Sequence, residues 1–190
     1  VIPYAIKRKN VYAYFFDGYW EDIGTIRSFF DANIDLTRPL PRFNLYDETR
    51  PIFTHPRFLP GSKIIDSEIV NSILCEGSII NKSRIRECMI GIRTKIQEGA
   101  SLNHSILMGA NYFESKEEIE ENAKKYIPPI GIGKNCEICN AIIDRNARIG
   151  DNVRLINQHG IKNETSENYS IVDGIIVVKK NAVILNDTVV

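Results

Sequence analysis

The 190-residue chain lacks a surplus of charge of either sign, since 24 Lys and Arg balance 24 Asp and Glu. General nucleic-acid and membrane-surface binders need a basic excess, so both classes are excluded, while local basic clusters for a small anion remain open. No apolar run reaches the roughly 18 to 20 residues that cross a bilayer. Histidine is scarce, with three scattered along the chain, and the four cysteines include one C-x-x-C pair, Cys136-Glu137-Ile138-Cys139. That spacing suits a zinc half-site or a redox pair, but no second pair or His pair completes it, so packing is the expected role. Phosphate-cradling patterns of the G-x-x-x-x-G-K-[ST] and G-x-G-x-x-G kinds are absent, as is a recognisable Ser-His-Asp arrangement. Val1-Ile2-Pro3 has neither the basic start nor the apolar run of a signal peptide. The chain therefore reads as the C-terminal part of something longer, with part of any active site upstream.

What is present is a strong apolar component, 43% of residues, which is enough for a core and excludes intrinsic disorder. Residues 11–16 (Val11-Tyr12-Ala13-Tyr14-Phe15-Phe16) are β-branched and aromatic, and predict a strand turned by Asp17-Gly18. Thr25 is a helix cap, and Ile26, Phe29, Phe30 and Ile34 recur at helical spacing to about Thr37. Five of the eight prolines fall between 38 and 63, which marks an extended linker.

From residue 64 the pattern changes. Aliphatic residues recur every six positions: Ile73, Ile79 and Ile85, then Ile90, Ile96 and Leu102 after one five-residue step. A second block runs Ile132, Ile138, Ile143, Ile149 and Leu155, and a third runs Val172, Val178, Ile184 and Val190. Small side chains follow at offset four, among them Ser83, Thr94, Ala100, Cys136, Ala147 and Ala182, with Asn, Asp and Gly between. Hexads of this kind build a parallel β-helix in which the aliphatic residue points inward and Asn or Gly takes the φ > 0 corner. Residues 64–190 are assigned to it. Residues 109–131, with the capping-box pattern Ser115-Lys116-Glu117-Glu118, and residues 157–171, polar and hydrophobically silent, read as excursions from the coil.

Chemistry is sparse within this frame. Glu21-Asp22, just ahead of a helix, is compatible with a divalent cation or with simple complementing of the helix dipole. Hexapeptide-repeat proteins include acyltransferases that use a His between subunits, and His104 is the single weak candidate for that class.

Gly18-Tyr19-Trp20-Glu21-Asp22-Ile23-Gly24-Thr25-Ile26, continuing through Phe29 and Asp31-Ala32-Asn33, resembles the end of the catalytic domain of the glucose-1-phosphate adenylyltransferase (ADP-glucose pyrophosphorylase) family. The likeness continues in Pro56-Arg57-Phe58-Leu59-Pro60, Met108-Gly109-Ala110-Asn111-Tyr112, Pro129-Ile130-Gly131-Ile132-Gly133, Ile142 to Gly150 and Gly174 to Ala182. It covers nearly the whole chain in order. The style is that of the plant, algal and cyanobacterial branch, and Thr25 to Phe30 looks more like the large subunit.

The resemblance implies a mainly β fold: a left-handed parallel β-helix (64–190) preceded by the end of an α/β nucleotidyltransferase domain (1–37) and a linker (38–63). It implies an enzyme that makes ADP-glucose and pyrophosphate from ATP and glucose-1-phosphate for starch or glycogen synthesis, with Asp22 helping to hold Mg²⁺. The partner Asp and the nucleotide loop would lie upstream, so this piece alone is expected to be inactive. Effector anions, 3-phosphoglycerate and phosphate, are expected at His55, Arg57, Arg145 and Lys180. Arg145 departs from the family, which often carries Lys there, as does His55, where Gln is common; Arg keeps the charge but offers a planar fork. A small subunit in a heterotetramer is the expected partner. The expected location is the plastid stroma, or the cytoplasm if the source is bacterial. The alternatives are a hexapeptide-repeat acyltransferase and a non-catalytic assembly subunit.

Overall fold

The computed structural model describes residues 1–190. A short helix, α1 (Ile2–Ile6), opens the chain, and residues 7–25 have no regular structure. The strand expected over 11–16 does not form: Tyr12, Tyr14 and Phe15 are each more than 80% exposed. A strand needs a neighbour for its backbone groups, and no strand of this chain pairs with that segment. Helix α2 (Ile26–Asp35) forms as expected. Its cap is reciprocal: the Thr25 hydroxyl accepts from the Ser28 backbone N–H at 3.1 Å, and Ser28 Oγ accepts from the Thr25 N–H at 3.2 Å.

From Lys63 the chain winds into a triangular prism walled by three sheets, in which successive coils pair in parallel. On the first face Ile64, Ile80, Ile96, Ile132, Ile149 and Ile184 lie in register. On the second, Ile69, Ile85, Leu102, Ile138 and Leu155 do so. On the third the column is Leu74, Ile90, Leu107, Ile143 and Val178. Most of these side chains fill one continuous core of 22 buried residues. Stacked coils share that core, so each coil is stabilised by its neighbours.

The registers correct the expected pattern at three places. Leu74 and Ile80, not Ile73 and Ile79, are the inward residues, and Val172 lies outside the inward column. For the first two the reason is that a side is five residues long in some places and six in others, so a strict six-residue count drifts by one, whereas Val172 belongs to a strand that pairs antiparallel, outside the coil. Ile73 and Ile79 sit beside inward aliphatics and point outward. The corners are held by residues at positive φ, including Asn140 (51°), Asn146 (59°), Asn152 (57°) and Asn181 (60°). Asn suits these corners because its short amide tolerates the left-handed region and bonds locally. Cys136 takes an inward small position and is buried, its Sγ facing the Gly150 carbonyl at 3.1 Å. Burial pushes the Cys136 thiol up to about 11 and the Cys88 thiol to about 12, so both are inert packing groups.

Both excursions are tied to the prism. The first leaves at Gly109 (φ 80°) and returns at Gly131 (φ 117°), where a Cβ would strike the carbonyls of Ile92 and Lys95 respectively. Between them Ser115 and Glu118 form the expected capping box on helix α3 (Lys116–Lys124). The anchor is Glu114, which is 2% exposed and pairs with Arg148 at 2.6 Å while accepting the Ile130 N–H at 2.7 Å. The second excursion is not hydrophobically silent. Asn163–Thr165 and Tyr169–Val172 form an antiparallel hairpin on the third sheet, next to Ile175–Val178, and Ile171 enters the core.

Helix α2 lies against the outside of the third face. Phe30 and Ile34 pack on Ile106, Ile142 and Ile175, with Ile26, Phe29, Met89, Met108 and Val177 around them. The Arg27 guanidinium donates to the Asp173 carbonyl, which joins the helix start to the turn that follows the second excursion.

Candidate functional site

The edge between the third and first faces carries the expected anion residues. Two residues past each inward residue of the third face come Glu76, Ile92, Gly109, Arg145 and Lys180. Their carbonyls form a ladder: Arg93 N–H donates to Glu76, Ala110 to Ile92, Asn146 to Gly109 and Asn181 to Arg145, at 2.9 to 3.1 Å. Below Glu76 the ladder continues to Pro60, whose carbonyl accepts the Gly77 N–H at 2.8 Å. Arg145 and Lys180 therefore lie on this edge, and His55 and Arg57 precede its Pro60 end.

They do not form one cluster. Arg145 and Lys180 occupy adjacent coils, about 5 Å apart at the backbone by strand spacing. His55 and Arg57 enter at the Pro60 end, beside Leu74, Cys75 and Glu76. Four coil steps separate Pro60 from Arg145, or about 19 Å. A small anion reaches one pair or the other.

The upper pair is supported by a column of asparagines. Asn146 Oδ1 accepts the Asn111 N–H at 2.8 Å, and Asn146 Nδ2 donates to Asn181 Oδ1 at 3.0 Å. Arg145 is half-buried and donates from Nη1 to Asn111 Oδ1 at 3.3 Å, which aims the guanidinium along the edge. Lys180 is exposed and makes no hydrogen bond or ion pair, unlike Lys179, whose Nζ holds the carbonyls of Ser166 and Glu167 at 2.6 and 2.9 Å. The sequence signal of this column is a long one: Asn111, Asn146 and Asn181 recur every 35 residues, the length of a coil plus its excursion, which a six-residue period does not contain. His55 and Arg57 are both exposed and free of partners.

Asp22 stands apart from this edge. It is exposed, and its Oδ1 accepts the Gly24 N–H at 2.9 Å in the turn that leads to the α2 cap. Neighbouring Glu21 is directed to Arg42 at 3.7 Å, and no cluster of three His, Cys, Asp or Glu forms anywhere. One free carboxylate oxygen fits Mg²⁺, which keeps several waters and takes its remaining ligands from phosphates. It does not fit a cation caged by protein groups. His104 is used structurally: its ring meets Phe30 edge-on at 5.3 Å and its Nδ1 lies 3.3 Å from Glu87 Oε2.

The chain matches two family models. Residues 57–189 match the GLGC left-handed parallel β-helix domain, which makes the prism left-handed, and residues 1–38 match the nucleotidyl transferase family. A wheat (Triticum aestivum) protein, glucose-1-phosphate adenylyltransferase small subunit, chloroplastic/amyloplastic, is 45% identical over 194 residues. The match takes in all of this chain and 41% of the wheat protein's length, and its partner in likeness is a small subunit, where Thr25 to Phe30 pointed to the large one.

Proposed function

With the chain belonging to the GLGC left-handed parallel β-helix family, we propose that it is the C-terminal part of a glucose-1-phosphate adenylyltransferase subunit. The parent enzyme makes ADP-glucose and pyrophosphate from ATP and glucose-1-phosphate. The observation that carries this reading is the order of two modules in one chain: nucleotidyl transferase over 1–38, then β-helix over 57–189. The wheat relative spans both at 45% identity.

In this reading Asp22 is a carboxylate ligand of Mg²⁺, a cation that neutralises charge on the phosphates during in-line displacement. The Gly24 N–H holds one Asp22 oxygen and leaves the other for the metal. The β-helix serves regulation and assembly. Arg145 and Lys180 form one anion contact for 3-phosphoglycerate or phosphate, and His55 with Arg57 forms a second near the start of the same edge. The Arg145 fork, aimed by Asn111, suits two oxygens of a phosphate, and Lys180 adds an unpaired point charge. The exposed aromatics of residues 11–20 are the surface on which the rest of the nucleotidyltransferase domain sits. The assembly is a heterotetramer with a second subunit type, located in the plastid, as the wheat relative's name says of that protein.

The test is ADP-glucose formation by the full-length subunit with its partner, in ATP, Mg²⁺ and glucose-1-phosphate, with and without 3-phosphoglycerate. Wild type is expected to be activated, and Lys180→Ala to need roughly tenfold more effector. Unchanged activation in the mutant removes Lys180 from the effector site. Absence of ADP-glucose removes the enzyme reading.

A further inference from the structure

The second face of the prism carries a channel that the proposed regulation does not use. Its floor is the backbone at Ile85, Leu102 and Ile138, whose side chains point into the core. In a strand the residues before and after an inward one both point outward, so they stand as walls on either side. One wall is Glu68, Arg84, Ser101 and Glu137; the other is Val70, Arg86, Asn103 and Cys139. Read layer by layer, only the Arg84–Arg86 strand places the same charge on both walls.

These two guanidiniums are also without partners. Nine of the twelve arginines engage a carboxylate, carbonyl, hydroxyl or amide, and Arg84, Arg86 and Arg57 engage none. The nearest acids do not neutralise the pair. Glu87 is directed to His104 at 3.3 Å, and Glu68, one strand away in register, makes no ion pair with Arg84. Arg154 takes Glu137 at 3.0 Å. Two like charges facing each other across a groove repel, and a bound anion removes that repulsion.

We propose that Arg84 and Arg86, with Ser101 and Asn103 on the adjoining strand, form a binding site for a compact phosphate-type dianion, separate from the Arg145–Lys180 edge. The dimensions fit. Arg84 and Arg86 are about 6.7 Å apart along their strand, and the Ser101–Asn103 strand lies about 4.8 Å away. An ion seated over Ile85 meets a guanidinium fork from each wall and a hydroxyl and a carboxamide from the next layer. A carboxylate has two oxygens and is satisfied by one fork, whereas a tetrahedral phosphate offers oxygens to both. The walls beyond, Glu68 at one end and Glu137 at the other, confine the anion to these layers.

The experiment is a calorimetric titration of the full-length protein with inorganic phosphate, at low ionic strength, for wild type, Arg84→Gln/Arg86→Gln and Arg145→Gln/Lys180→Gln. Circular dichroism melts check that each variant is folded. The expected result is three classes of site, two on the edge and one in the channel. Arg84→Gln/Arg86→Gln loses one class, weakened roughly tenfold or more, and Arg145→Gln/Lys180→Gln retains it. Replacing both with Lys is expected to restore part of the affinity, since charge returns without the forks. If Arg145→Gln/Lys180→Gln abolishes all phosphate binding, the channel site is overturned and the edge reading stands. If Arg84→Gln/Arg86→Gln alone abolishes it, the channel site stands and the edge reading fails. Phosphate binding that neither double variant alters overturns the channel site.

Discussion

The second and third faces of the prism share an inward column of aliphatic residues and differ in the row that points out. On the third face that row is Ile73, Met89, Ile106, Ile142 and Val177. On the second it is Glu68, Arg84, Ser101, Glu137 and Arg154. The coil needs only one inward residue per strand, so the outward row is free to record what lies outside. Apolar pairs such as Met89-Ile90, Ile106-Leu107 and Ile142-Ile143 mark a face covered on both sides, here by α2. Alternating charge marks a face in water. The difference teaches that a β-helix holds two independent messages in adjacent positions, one for the core and one for the partner.

The sharpest way to break the contrast is to uncover the third face. Phe30 is fully buried between α2 and the sheet, so Phe30→Ala is expected to cost about 3–5 kcal/mol. Urea unfolding measures the loss, and hydrogen exchange should show α2 amides opening before those of the coil. Equal exchange in both would mean that the helix is not held by this face.

The next effect compares a buried ion pair with an exposed one. Arg148 and Glu114 are 14% and 2% exposed, and Arg148→Ala leaves a buried carboxylate without its partner, at a cost of about 3 kcal/mol. Limited proteolysis should then cut within the first excursion, near α3, well before the coil. Intact fragments at wild-type rates would show that the pair does not anchor the excursion.

A smaller, pH-dependent loss is expected at the far end of α2. Burial would raise the Asp35 carboxyl, but the Arg42 backbone N–H and guanidinium, with Arg38 beside them, hold it below the usual range. Its contribution is therefore complete above the ordinary Asp value of about 3.9 and is lost as pH falls below that value through the folded one. Thermal melts between neutral and strongly acid pH should show that Asp35→Asn is less stable at neutral pH and less sensitive to acid. Parallel melting curves for the two proteins would rule out this linkage.

The smallest effect belongs to the water-facing side. Arg154 and Glu137 are 47% and 52% exposed, so Arg154→Ala is expected to cost under about 1 kcal/mol. A loss comparable to that of Arg148→Ala would mean that the second face is covered in the protein as it assembles.

Much of this fold was legible in the chain because a stacked coil repeats its physics locally. A hexad carries its own inward residue, small neighbour and corner, so the β-helix, the α2 cap at Thr25 and the α3 capping box could be read without any distant partner. The errors have the same root. The hexad count points Ile73 and Ile79 inward because inward and outward aliphatics are chemically alike, and only register separates them. The strand at 11–16 was expected from composition, yet strand formation depends on a neighbour that composition does not supply. Of the site, Arg145 and Lys180 were named by resemblance, but the spacing of 35 residues that stacks their asparagines was not read, because an excursion hides the period.

By itself the sequence determined which residues are apolar, which corners tolerate positive φ and where helices begin, since these follow from side-chain chemistry and short-range spacing. Tertiary structure alone decided that α2 covers the third face, that Arg145 and Lys180 adjoin while Arg57 lies about four coil steps away, and that Arg84 and Arg86 stand unpaired across a channel. Those facts depend on which strand lies beside which, and backbone pairing over 16 to 36 residues sets that order.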